Sequence, residues 1–315
     1  MASVALVVAG LVVLAGGAEA MVRGAVALAL RLGVPSIVVG LTVVSLGTSL
    51  PELAVGLDAV YHDSPALAVG NIVGTNLVNL LLVLGLSALL VPVLLDRPTL
   101  RRDLPAMTFA AVLLGLLSAD GGLGTLDGLV LCLTAAGYTA VVLRDSLGRG
   151  ARAEERSGVT ASRPVWVDVI LLVGGVLVVI LGAELLVDGA VGLARVLGLS
   201  EAVIGLTVVA IGTSAPELVT TLVSTVRGDR DVALGNLIGS STYNIALVLG
   251  ITVLVAPDGV PVAREVLGTD LLLLVVVAAM CVPVFLSGRR ISRREGGIAV
   301  AAYVGYLVWL VTTAT

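Results

Sequence analysis

Two glutamates dominate the chemical possibilities of this sequence. Glu52 and Glu217 each close a Gly-Thr-Ser-X-Pro-Glu run, Gly47-Thr48-Ser49-Leu50-Pro51-Glu52 and Gly212-Thr213-Ser214-Ala215-Pro216-Glu217, and each run lies within an apolar stretch. A carboxylate in apolar surroundings costs several kcal/mol unless it is paired or hydrated, and neither glutamate has a basic residue nearby in its segment. Glycine is conformationally permissive, and proline removes an amide donor and crowds the preceding turn, so a helix carrying this run is expected to break there and free backbone carbonyls. The ligand set then comprises the hydroxyls of Thr48, Ser49, Thr213 and Ser214, carbonyls near Ser45 and Ala210, and the two carboxylates. All are hard oxygen donors, a set that suits Ca²⁺ or Na⁺ and disfavours zinc or copper. Two carboxylates also neutralise one divalent cation.

A second group recurs beside the first. Asn71, Thr75 and Asn79 follow one another at four-residue spacing, as do Asn236, Ser240 and Asn244. Residues at i, i+4 and i+8 share one helix face, so each trio presents an amide, a hydroxyl and an amide. Thr75, Asn79, Ser240 and Asn244 read as further cation ligands; Asn71 and Asn236 suit coordination and interhelical hydrogen bonding equally. Glu19 and Glu184, nearer segment ends with Arg23 and Arg195 within reach, read as structural or gating ion pairs. His62 reads as a surface residue, and Cys132 and Cys281 as plain packing.

The frame that must hold these groups is a membrane one. The chain of 315 residues is 58% hydrophobic and 13% charged, with a mean hydropathy of +1.14, far from soluble domains. A helix needs about 20 mostly apolar residues to cross a bilayer, and ten such segments can be marked out, near 4–30, 34–61, 66–95, 104–119, 123–143, 165–194, 202–226, 231–256, 266–287 and 296–314. The apolar runs lack period-2 alternation, which excludes a transmembrane barrel. No segment suits a soluble enzyme or a nucleic-acid partner. The first segment is expected to remain in the mature chain.

The sequence is also duplicated. Gly40–Leu53 recurs 165 residues later as Gly205–Leu218 with eleven of fourteen positions identical, and Gly70–Asn79 recurs at the same offset as Gly235–Asn244. Gly17-Ala18-Glu19 likewise matches Gly182-Ala183-Glu184. The expected fold is therefore all-α and integral to the membrane, with ten helices in two five-helix repeats: 1–145 with its motif at 40–85, a cytoplasmic linker at 146–164, and 165–315 with its motif at 205–250. Because five is odd, the second copy enters from the opposite face, giving an inverted repeat. All 18 basic residues are arginine. Most fall on one side of this arrangement, which places both termini outside the cytoplasm.

At these motifs the sequence resembles the cation/calcium antiporter superfamily, whose two repeats carry Gly-Thr-Ser-X-Pro-Glu followed by Gly-Asn-X-X-Gly-Ser-Asn. The resemblance to the sodium/calcium exchanger branch implies a calcium site made by Glu52, Glu217, Thr48 and Thr213. Flanking sodium sites would draw on Ser49, Ser214, Thr75, Ser240, Asn79, Asn244 and the carbonyls of Ser45 and Ala210. It also implies exchange of three Na⁺ for one Ca²⁺ across the plasma membrane, transported ions rather than a prosthetic group, and function as a monomer. The chain departs from many relatives in having Asn244 where they carry Asp, which speaks against potassium dependence, and in having Thr75 for Ser and Ser241 for Asn. The nearest alternative is a Ca²⁺/H⁺ antiporter of the same superfamily, whose Gly-Asn-Ala-X-Glu pattern this chain lacks. A carboxylate-lined channel is the alternative from another class, and inverted repeats around midplane sites favour a carrier over it.

Overall fold

The computed structural model describes residues 2–62, 64–94, 98–153, 164–196, 210–264, 266–288 and 290–314. Apart from four two-residue strands, its regular elements are helices: α1 (Ala2–Arg31), α2 (Ser36–Tyr61), α3 (Ala66–Leu90), α4 (Leu104–Leu117), α5 (Thr125–Ala153), α6 (Val165–Val196), α7 (Ala210–Thr213 continued by Ala215–Arg227), α8 (Arg230–Val255), α9 (Leu271–Gly288) and α10 (Arg293–Ala314). Seven of the described helices are long and apolar enough to cross a membrane. Large apolar side chains such as Leu116, Leu126, Trp166 and Leu177 cover the outside, as lipid-facing residues must.

One boundary differs from the sequence expectation. The α5 helix runs on to Ala153, past the expected linker start at 146 and through Gly148 and Gly150. Residues 154–163 of that linker and Gly205–Val209 of the second motif lie outside the described residues.

Burial sorts the helices by role. The apolar windows of α3 and α8 are each 78% buried and that of α2 67%, whereas those of α1 and α6 are 28% buried. Thus α2, α3 and α8 form the centre, where the motif residues lie, and α1 and α6 lie against it from outside. Two antiparallel ribbons tie loops from opposite halves of the chain: β1 (Val93–Leu94) pairs with β4 (Arg290–Ile291), and β2 (Gly122–Leu123) pairs with β3 (Val260–Pro261).

The α1 and α6 helices pack against each other along nearly their whole length. Lipid tails are as apolar as leucine, so helix association in a bilayer rests on close van der Waals contact, which small residues permit. Glycines recur every seventh residue on both helices, at 10, 17 and 24 and at 175, 182 and 189. A Cβ at Gly17 would lie 2.8 Å from the Val179 amide nitrogen, and one at Gly182 would lie 2.6 Å from that of Leu14. One end of the pair is fastened by Arg31, whose Nε donates to Asp168 Oδ2 at 2.6 Å.

Replacing Gly17 by Val should force this contact apart, costing about 1–3 kcal/mol by overpacking and lowering the melting midpoint of the purified protein by roughly 5 °C. Gly16→Val, at a position where an added Cβ meets nothing within 4 Å, should leave it unchanged. Equal melting of all three proteins would show that the contact does not hold the pair together.

Candidate cation site

The site is built where α2 crosses α8. Their backbones touch because glycines stand at the crossing: a Cβ at Gly235 would lie 2.6 Å from the Ile37 carbonyl oxygen, and one at Gly239 would lie 2.7 Å from that of Leu41. This approach brings side chains of one motif onto the backbone of the other. Ser45 Oγ donates to the Gly40 carbonyl at 2.6 Å and lies 3.2 Å from the carbonyls of both Gly235 and Asn236. Thr48 Oγ1 lies 3.1 Å from Asn236 Oδ1 and 3.2 Å from Ser240 Oγ. Across the site, Ser214 Oγ donates to Thr75 Oγ1 at 3.4 Å.

Glu52 and Glu217 are both 0% exposed. None of their four carboxylate oxygens has a hydrogen-bond partner. The hydroxyls of Thr48, Ser49 and Ser240 are buried in the same interior. Asn79 and Asn244 are fully buried in π-helical turns, Val78–Val83 and Asn244–Leu249, and both polar atoms of each amide lack a partner. Such turns are rare and cluster at functional sites, because the wider i→i+5 spacing breaks the regular register of the helix. An unsatisfied buried polar group costs about 1–3 kcal/mol, more when charged. So many together set this place apart from the rest of the described interior.

The expected break is present in both repeats with matching geometry, at Ser49 (φ −84°, ψ 2°) and Ser214 (φ −83°, ψ 2°). Pro51 and Pro216 occupy the first turn of the following helix, where a missing N–H is tolerated. The expectation that the Ser45 carbonyl is freed needs correction: it accepts the Ser49 N–H at 3.0 Å. The interruption spans a single residue, so that bond survives, and the donor lost at proline leaves the carbonyls of Gly47 and Gly212 instead. The Ser45 carbonyl keeps a second lone pair and lies 3.2 Å from Thr48 Oγ1. Ala210 opens the described part of α7, and Thr213 is nearly buried.

Of the other residues singled out, Glu19 pairs with Arg23 at 2.5 Å and also with Arg227 of α7. His62 is exposed beside Asp58. Sequence reasoning missed a group of buried hydroxyls in α7, Thr220, Thr221, Ser224 and Thr225. Their spacing of one, three and four residues within an apolar segment was the available signal.

The sequence profile of the sodium/calcium exchanger protein family matches residues 2–144 and 167–312. The chain belongs to that family. This exchanger is 34% identical over 308 residues to the putative antiporter CaxA of Alkalimonas amylolytica, covering 95% of this chain and 96% of that one. It is 30% identical over 339 residues to the sodium/calcium exchanger MaX1 of Methanosarcina acetivorans, covering 96% of each. Among solved structures it is similar to the sodium-calcium exchanger NCX_Mj soaked with Na⁺ and Ca²⁺, with a TM-score of 0.84, 29% identity and 97% of each chain covered. The chain is thus a membrane protein of a cation/Ca²⁺ antiporter family, and that family is one of transporters that work on Na⁺ and Ca²⁺ without a prosthetic group.

If the α2–α8 approach sets the ligand positions, Gly239→Ala should push Leu41 and Ser45 away from Ser240 and slow ⁴⁵Ca²⁺ uptake by reconstituted exchanger at least 10-fold, the effect of about 1.4 kcal/mol or more of overpacking. Uptake at the wild-type rate would separate the crossing from the site.

Proposed function

We propose that this exchanger trades Na⁺ for Ca²⁺ across the plasma membrane by alternating access, with the ions held between Glu52 and Glu217. The carrying observation is the pair of fully buried carboxylates, without a basic partner, at repeat-equivalent positions inside a shell of hydroxyls and amides. In a bundle of low dielectric two such charges need cations. One Ca²⁺ neutralises both, and several Na⁺ ions do the same by spreading over neighbouring oxygens. In this reading Thr48 and Thr213 complete the calcium site with the glutamates, while Ser49, Ser214, Thr75, Ser240, Asn79, Asn244 and the carbonyls of Ser45 and Ala210 serve the flanking sodium positions. The names of relatives that exchange sodium for calcium support the choice of ions.

The architecture proposed with it is ten membrane helices in two inverted five-helix repeats, 1–145 and 165–315, with both termini outside the cytoplasm and a single chain as the working unit. Three features support the duplication: matching interruptions at Ser49 and Ser214, π-helical turns around Asn79 and Asn244, and ribbons that tie the loop after α3 to that between α9 and α10 and the loop after α8 to that between α4 and α5. The concentration of arginine near one set of helix ends supports the orientation.

The test is ⁴⁵Ca²⁺ uptake into proteoliposomes loaded with Na⁺, loaded with choline, or given only a proton gradient. Uptake confined to Na⁺-loaded vesicles is expected. Uptake with protons alone would transfer the coupling role to protonation of the same glutamates and make the protein a Ca²⁺/H⁺ antiporter, while a counter-ion-independent flux would indicate a channel.

Glu52→Gln and Glu217→Gln should each reduce Ca²⁺ uptake at least 100-fold, because one carboxylate cannot balance a divalent ion in this interior. In cation-free buffer both variants should melt no lower than wild type, since each removes an unpaired buried charge. Brisk uptake by either one would remove that glutamate from the site.

A further inference from the structure

The amide of Asn236 has a partner on each side. Its Nδ2 donates to Thr221 Oγ1 at 3.1 Å and lies 3.5 Å from the Glu217 carbonyl, while its Oδ1 lies 3.1 Å from Thr48 Oγ1. A carbonyl can only accept, so the amide nitrogen belongs on the α7 side and the oxygen on the side of Thr48 and Ser240. All the side chains involved are essentially buried, Asn236 and Ser240 at 0% and Thr48 and Thr221 at 1% exposure, so no bulk water competes for these bonds.

The first repeat lacks this arrangement. At the same 165-residue offset, Asn236 corresponds to Asn71 and Thr221 to Gly56. Asn71 Nδ2 is buried without a hydrogen-bond partner. A side chain at position 56 would first have to displace the Thr252 hydroxyl, because a Cβ there would lie 2.6 Å from Thr252 Oγ1. One repeat therefore fixes its asparagine and the other leaves it unanchored. The residue that makes the difference is a threonine between the two recurring stretches.

We propose that Thr221 is a positioning residue for the cation site: it clamps the Asn236 amide so that Oδ1 faces the Thr48 hydroxyl, which in turn meets Ser240, a clamp that Asn71 lacks. The proposal rests on the reading of these hydroxyls as cation ligands. A clamped oxygen is pre-organised. An amide free to turn must lose that freedom, or present its N–H₂ to a cation, whenever an ion binds. Thr221 acts on the ions through Asn236 and Thr48, and it also draws Asn236 onto the carbonyl of Glu217, so that α8 and the carboxylate-bearing turn of α7 are held in one register.

The experiment measures the Ca²⁺ dependence of ⁴⁵Ca²⁺ uptake into Na⁺-loaded proteoliposomes. Thr221→Val keeps the shape and removes the acceptor. It should raise the half-saturating Ca²⁺ concentration about 10-fold, the loss of roughly one buried hydrogen bond, while the rate at saturation stays within about twofold. Thr221→Ser should restore the wild-type value. Combined with Asn236→Ala, Thr221→Val should cost nothing beyond Asn236→Ala alone, as two residues acting through one interaction require. An unchanged half-saturation in Thr221→Val, a Ser variant as weak as the Val variant, or additive effects in the double variant would each overturn the proposal. Wild-type vesicles without saturable uptake would overturn the exchange reading itself and this proposal with it.

Discussion

Two carboxylates have to be kept inside the bundle with no basic side chain among the described residues paired to either of them. Glu52 and Glu217 are fully buried, and unit charges interact far more strongly in such surroundings than in water. That constraint accounts for the rest of the site. In the proposed reading oxygen ligands must converge on one place, and the close approach of α2 and α8 that Gly235 and Gly239 permit brings oxygen-bearing side chains of both motifs together. Where helix geometry alone would not present enough oxygens, the chain departs from it, with interruptions at Ser49 and Ser214 and π-helical turns around Asn79 and Asn244.

The interior is expensive, so stability has to come from elsewhere. In lipid it comes from contact between helices rather than from expelling water. The glycine rows of α1 and α6 give a long, close contact, and the Arg31–Asp168 pair fixes one end of it. Because these two helices are far less buried than α2, α3 and α8, the molecule divides into a site-bearing centre and a tightly joined outer pair.

That outer pair treats the two repeats unequally. The α1 helix packs along Ala215–Arg227 of α7 and joins it through Glu19 and Arg227, whereas α6 has no comparable packing on the corresponding part of α2. Such inequality between related halves is what the proposed alternating access calls for, because exchanging the roles of the halves would generate the second state. The different anchoring of Asn71 and Asn236 adds an inequality at the site itself.

The sequence by itself determined the membrane class, the placement of most segments, the duplicated motifs, and the two glutamates with the hydroxyl and amide residues that recur beside them. These are legible because the cost of burying a charge in lipid, the length of a bilayer-crossing helix and the phase of a repeat are all written in residue type and spacing. Tertiary structure decided which groups meet. That Thr48 faces Asn236 and Ser240, nearly two hundred residues away, depends on a helix crossing that no local pattern encodes. The Ser45 carbonyl kept its backbone bond because the interruption at Ser49 is a single residue wide, a matter of backbone angles rather than of composition. The role of Thr221 was hidden for a related reason: a threonine in an apolar helix has the same local signature whether its hydroxyl bonds its own helix or a neighbouring amide, and only the packing of α7 against α8 separates the two.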